Sequence, residues 1–179
     1  KQAKSLVAEA AEKLSMPYIT ERWPGGLLTN FATIRKSIKK MDSIDKMKVD
    51  GTFESLSKRE RLQINRTREK LEINFGSIVK MNRMPEAVFI VDINKEHIAL
   101  KESLKLGIRS FAITDTNTNP NLVDFPIPAN DDASKSIAYL IDVISKAVAE
   151  GLDERAEEQN KKAVEKHKKA KKISEDAKV

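Results

Sequence analysis

The chain contains no cysteine, which excludes disulfides and thiolate metal sites and points to a reducing compartment. No apolar run approaches the roughly 20 residues that span a bilayer, and no signal peptide opens the chain, so a soluble intracellular protein is expected. Neither G-x-G-x-x-G after a strand nor G-x-x-x-x-G-K-[ST] occurs, so both nucleotide-phosphate fingerprints are missing. Histidine is nearly absent too, with only His97 and His167. His97 falls in the first turn of an expected helix, beside Glu96, where a surface or strand-end role outweighs a base or ligand role. His167 sits among lysines and is expected to be solvated. Aromatics make up 5% of the 179 residues, and Trp23 is the one tryptophan.

What the chain does have is charge. Charged residues reach 34%, above the roughly 25% of an ordinary globular chain, while 40% hydrophobic content supports a modest core. The net charge of +6 is spread unevenly: +1 over residues 1–32, +7 over 33–83, −7 over 84–160 and +5 over 161–179. Basic segments on either side of an acidic stretch fit a polyanionic partner, with merely solvated lysine-rich helices as the plain alternative.

Apolar spacing sets out the elements. Residues 1–15 read as a helix with Leu6, Val7, Ala10, Ala11 and Leu14 on one face, and a strand is expected to precede it, so the chain reads as N-terminally incomplete. Residues 17–20 read as a short strand, followed by the Trp-Pro-Gly-Gly turn. Thr29 or Asn30 is expected to cap a helix to about residue 49, with a narrow seam of Ile34, Ile38, Met41, Ile44 and Met47. Ser57-Lys58-Arg59-Glu60 reads as a capping box opening a helix to about residue 81, with Ile64, Thr67, Leu71, Phe75 and Ile78 as the matching seam. Two such seams predict an antiparallel helical hairpin with basic outer faces. The run 87–91 then reads as a strand buried on both faces. A helix over 96–106 ending at Gly107, strands over 108–114 and 123–127, and a helix starting at 130–132 and running to 148 complete a parallel α/β pattern. Seven lysines and one glutamate in 161–172 read as a solvated or RNA-following tail.

Little of this looks catalytic. Gly25-Gly26 before a helix is a weak phosphate-cradle signal, against the plainer reading of a sharp turn. Asp115, Asn117, Asp131 and Asp132 stand where strands of an open sheet end and ligands bind; they read as a Mg²⁺ or acid-pair site, or more plainly as turn and cap residues. Trp23 reads as a base-stacking residue or, more plainly, as a packing anchor.

The stretch "RWPGGLLTNFATIRKSIKKM" resembles the R-W-x-G-G-x-L-T-N signature of the S-two family of small ribosomal subunit proteins. The stretch "VDINKEHIALKESLKLGIRSFAITDTNTNPNLVDFPIPANDDASKSI" resembles that family's second signature, and "DGTFESLSKRERLQINRTREKLE" is similar to its helical-hairpin arm. Arg22, Trp23, Gly25, Gly26, Leu28, Thr29 and Asn30 match the first motif. Asp115, Thr116, Asn117, Pro120, Pro128, Asn130, Asp131 and Asp132 match the second. Arg109 and Ala129 depart from a usual proline and glycine, and the family's H-F-G-H segment is not in this sequence.

The resemblance implies a flavodoxin-like α/β domain over 1–29 and 84–150 and a hairpin insertion over 30–83; the charged lysine-rich extension over 151–179 lies outside the family core. It implies a non-enzymatic constituent of the cytoplasmic small ribosomal subunit, monomeric there, that binds its RNA and helps dock the S-one ribosomal protein. Candidate RNA-binding residues are Arg22, Trp23, Arg35, Lys36, Lys39, Lys40, Arg59, Arg61, Arg66, Arg68 and Arg83. No cofactor is expected; a structural Mg²⁺ or Zn²⁺, with Asp115 and Asp131 as the cation candidates, is the metal alternative. The competing reading is a nucleotide- or anion-binding enzyme or switch on the same fold.

Overall fold

The computed structural model describes residues 2–176. Three apolar runs form parallel strands, β1 (Ala87–Ile90), β2 (Arg109–Thr114) and β3 (Phe125–Pro128), in the spatial order β1-β2-β3. The helices are α1 (Lys4–Lys13), α2 (Phe31–Val49), α3 (Lys58–Phe75), α4 (His97–Leu106) and α5 (Ser134–Asp176). The arrangement is a parallel α/β fold, as the alternation of apolar runs and amphipathic segments predicts, and is flavodoxin-like, as the resemblance implies.

Side chains alternate between the faces of a strand, so Ile90 and Ala112, paired in register, share one face. There they cluster with Ile93, Ala99, Leu100 and Val123, under α4. Ile113 points to the other face and is fully buried, as is Ile137 of α5. Gly107 takes a left-handed φ of 66° and ends α4; the Ile108 amide reaches back to the Ser103 carbonyl at 3.0 Å, turning the chain directly into β2. Ser110, fully buried, donates both its amide (2.8 Å) and its hydroxyl (2.9 Å) to Asp124, fastening the approach to β3.

α2 and α3 are antiparallel partners, because Asp45 meets Arg68 while Arg35, a few turns earlier, reaches residues 81–82. At 19 and 18 residues each is on the order of 28 Å long at 1.5 Å per residue. Ile34, Ile38, Met41 and Ile44 are buried in the seam, facing half-buried Ile64, Thr67, Leu71 and Phe75. The capping box forms as the sequence predicts: Glu60 donates its amide to Ser57 Oγ, and Ser57 donates its amide to Glu60 Oε2 at 3.0 Å.

Several boundaries differ from expectation. Residues 17–20 are not a strand; the Ser77 hydroxyl donates to the Tyr18 carbonyl and the Tyr18 hydroxyl donates to Glu12, so side-chain bonds hold this stretch in place of a ladder. α3 stops at Phe75 rather than near 81, where Gly76, a poor helix former, opens a single 3-10 turn. β1 is not buried on both faces: Ala87 is exposed and Val88 and Phe89 half-buried, because among the described residues β1 is an edge strand paired only with β2. The third strand starts at Phe125, after a 3-10 turn over Pro120–Leu122, instead of at 123.

α5 differs at both ends. Asn130, Asp131 and Asp132 precede it, the Asn130 side chain accepting the amides of Asp132 and Ala133 at 2.8 Å each, so the helix begins at Ser134. It then continues through Gly151 to Asp176, where a stop near 148 is expected. One exposed glycine costs a helix only about 1 kcal/mol, and strong helix formers with i,i+4 pairs such as Lys146–Asp142 and Lys161–Glu157 favour continuation. The His167 side chain and those of the lysine-rich run beyond Lys161 lie outside the described residues.

Candidate nucleic-acid interface

The turn before α2 is organised around a residue that composition gives no reason to notice, Glu102 of α4. One carboxylate oxygen accepts the Gly26 amide at 2.6 Å. The other accepts the amides of Leu28 at 2.9 Å and Thr29 at 3.1 Å, with the Thr29 hydroxyl at 3.3 Å. Glu102 is only 7% exposed. Burial opposes its charge, but the amides of Thr29, Gly26 and Leu28, helped by the Trp23 indole, outweigh it and hold the carboxyl below its ordinary value. The indole N–H is buried without a hydrogen bond of good geometry, so its help is electrostatic. Gly25-Gly26 therefore leads into an anion nest, and the anion is the chain's own.

The signature residues divide by role. Gly26 has φ +86° and lies 3.3 Å, measured from an added Cβ, from the Asn30 side chain; Gly25 has open space around it. Leu28 is buried. Thr29 serves Glu102 instead of capping α2, and Asn30, at the cap position, accepts the Thr33 hydroxyl at 2.8 Å but no helix amide. The expected side-chain cap is thus absent, and the Thr33 amide bonds the Asn30 backbone carbonyl at 3.0 Å instead. Trp23 packs against both the sheet cluster and the cluster at the hairpin root, formed by Leu27, Ile34, Ile38, Ile78 and Met81. Its ring is a packing wedge.

At the carboxyl ends of the strands, Asp115 accepts the amides of Thr116 at 2.6 Å and Asp131 at 3.3 Å, which hold its carboxyl below the ordinary value. The Asn117 carbonyl accepts the Asn94 amide group, tying the loops after β1 and β2 together. Pro120 opens the 3-10 turn capped by Asn119, and Pro128 closes β3. Asp131 is held above its ordinary value by burial first, then by Asp92, Asp132 and Asp115. The cation nearest this acid group is Lys95, 2.9 Å from Asp92 and itself raised by that contact and by Asp132 and Asp131. Among the described residues no group of three or more carboxylates and histidines is arranged to hold a metal. His97 is exposed, its Nδ1 3.3 Å from the Asn94 carbonyl. The glycine turn before α2 is filled by the Glu102 carboxylate, and beside the strand ends Lys95 pairs with Asp92.

The candidate RNA-binding cations also separate into two groups. Arg35 donates to the Met81 carbonyl at 3.2 Å and to Asn82 at 3.0 Å, and Arg68 grips Asp45 with two nitrogens at 2.8 and 3.2 Å. Arg61 is half-buried, its Nε without a partner. Arg35 and Arg68 stiffen the hairpin and its root. Lys36, Lys39, Lys40, Arg59 and Arg66 are exposed, as are Arg22 and Arg83 near the root, and none of the described residues forms an ion pair with them.

Sequence reasoning missed Glu102 and Lys95. The signal for Glu102 is its place on the buried stripe of α4, between Ala99 and Ser103, where a charge needs partners.

The molecule is thus a flavodoxin-like α/β protein joined to an antiparallel basic helix pair through a self-liganded turn. The chain belongs to the ribosomal protein S2 family, whose sequence model matches residues 1–151. It is similar to the small ribosomal subunit protein uS2 of Flavobacterium johnsoniae, 61% identical over 165 residues, which cover 92% of this chain and 65% of that relative. It is 62% identical to that of Christiangramia forsetii over 158 residues, 88% of this chain and 53% of the relative. It is 51% identical to that of Cytophaga hutchinsonii over 179 residues, the whole chain and 70% of the relative. The chain therefore spans between about half and just over two thirds of the length of these relatives. The family is one of ribosomal, non-enzymatic proteins, and no helix among the described residues is long and apolar enough to cross a membrane.

Proposed function

We propose that this protein is a structural component of the small ribosomal subunit, a single copy per ribosome in the cytoplasm, that binds small-subunit ribosomal RNA through the outer faces of α2 and α3. The observation that carries the proposal is the exposed set Lys36, Lys39, Lys40, Arg59 and Arg66, with which none of the described residues forms an ion pair, on a hairpin whose Arg35 and Arg68 are tied inward. Ammonium and guanidinium groups held along a stiff pair of helices neutralise RNA phosphates and follow backbone shape, with little base readout. Arg22 and Arg83 extend that surface to the root. In this reading 1–29 and 84–150 form the platform, 30–83 the RNA-binding limb, and 151–179 a charged, lysine-rich extension.

The acidic stretch 84–160 repels RNA and is left for protein contact, which supports the finer proposal that the chain helps dock the S-one ribosomal protein. No cofactor enters this function. Against an anion-binding enzyme stands the Gly26–Thr29 turn, filled by the Glu102 carboxylate; calorimetric titration with nucleotides and Mg²⁺ separates the two readings, stoichiometric micromolar binding favouring the enzyme. The test of the main reading is co-sedimentation of the chain with small ribosomal subunits, stripped by high salt. Failure to co-sediment at low salt sinks it.

A further inference from the structure

We propose that Glu102 is a positioning residue: its carboxylate is the internal ligand that fixes the turn before α2 and thereby sets the direction in which the basic hairpin leaves the sheet layer. For its consequence in RNA binding, this rests on the function proposed above. Three amides and a hydroxyl from residues 26–29 converge on one carboxylate carried by α4, which is itself packed on the sheet core. Gly26 also accepts the Asn30 amide at 2.8 Å, so the same residue that holds Glu102 opens the turn into α2. Trp23 touches the cores on both sides of this joint. Packing supplies contact across the joint, but apolar surfaces slide; four directional bonds to one buried anion do not. An added methyl at Gly26 would crowd Asn30, which leaves the joint little room to relax.

The experiment uses the full 179-residue chain with Glu102→Ala and Glu102→Gln. Trp23, the sole tryptophan, reports the joint by fluorescence, and hydrogen exchange reads the amides of Gly26, Leu28 and Thr29. Glu102→Ala is expected to speed exchange at these amides by about two orders of magnitude and to weaken RNA binding about tenfold. Formate, a free carboxylate small enough for the vacated nest, is expected to restore both, and chloride at equal ionic strength to restore neither. Glu102→Gln keeps the volume but places an amide donor against amide donors, so it is expected to loosen the turn as well, and it serves if the alanine variant does not fold. Native exchange and fluorescence in a folded Glu102→Gln overturn the proposal. So does a loosened turn with undiminished RNA affinity. Exchange and fluorescence are read without RNA, so a failure of the wild-type chain to bind RNA at all overturns the RNA reading and remains distinguishable from a failure of the latch.

Discussion

Alanine at Gly26 and alanine at Gly25 differ by one position and are expected to differ sharply in effect. Gly26 holds φ +86°, where an L-residue pays roughly 1–2 kcal/mol. An added Cβ lies 3.3 Å from the Asn30 Cβ, tighter than ordinary contact, and the backbone cannot ease away from it. Its amide is bonded to Glu102 at 2.6 Å and its carbonyl to the Asn30 amide at 2.8 Å, so any shift lengthens one of them. Together these give a destabilisation of roughly 2–3 kcal/mol, or a fall in Tm of roughly 5–10 °C for a chain of this size. Gly25 has no positive φ and nothing within 4 Å of an added Cβ, so its alanine variant is expected within about 0.5 kcal/mol of wild type. Urea and thermal unfolding followed by Trp23 fluorescence measure both. Equal losses at the two glycines, or a tolerated Gly26→Ala, would refute the assignment of the left-handed corner to Gly26.

Further outcomes concern charge. Arg68→Gln is expected to lower thermal stability, and adding Asp45→Asn to it to cost nothing more, because the two side chains act as one clamp; additive losses in a double-mutant cycle contradict this. Glu102 is held below its ordinary value of 4.5, so its stabilisation is complete above that pH and drains away as pH falls through the lower folded value; Glu102→Gln should lack this acid limb in a pH series of urea melts. Asp131 is held above its ordinary value of 3.8, so its ionised form weakens the fold at neutral pH. Asp131→Asn should therefore raise Tm at pH 7, with the gain vanishing once the pH drops below the ordinary value; a lower Tm at pH 7 counts against the repulsion account.

The parallel sheet was legible because the apolar runs at 87–91 and 108–114 have strand length and lie on either side of a helix that ends in glycine. The hairpin was legible from its two narrow seams and a capping box, both local signals. The ends of elements were harder. α5 runs past the point where apolar residues thin out, since helix propensity and i,i+4 pairs carry it where burial does not. Residues 17–20 look like a strand by composition, yet no neighbour among the described residues offers them a ladder.

The site was the least legible part, for a physical reason. Glu102 and the glycine turn are 76 residues apart, and a lone glutamate on a helix reads as surface until the turn's amides are seen to converge on it. The same holds for the arginines. Arg35, Arg66 and Arg68 are equally basic in sequence, but only folding separates those tied to Asn82 and Asp45 from the one left free.

The central claim is that the outward cations of α2 and α3 meet RNA phosphates, and the salt dependence of RNA affinity tests it most directly. With wild type as reference, each charge reversal at Lys36, Lys39 or Arg66 leaves one RNA phosphate without its cation. The slope of log affinity against log salt should then flatten by about 0.7–0.9 per reversal. An unchanged slope after all three reversals contradicts the account.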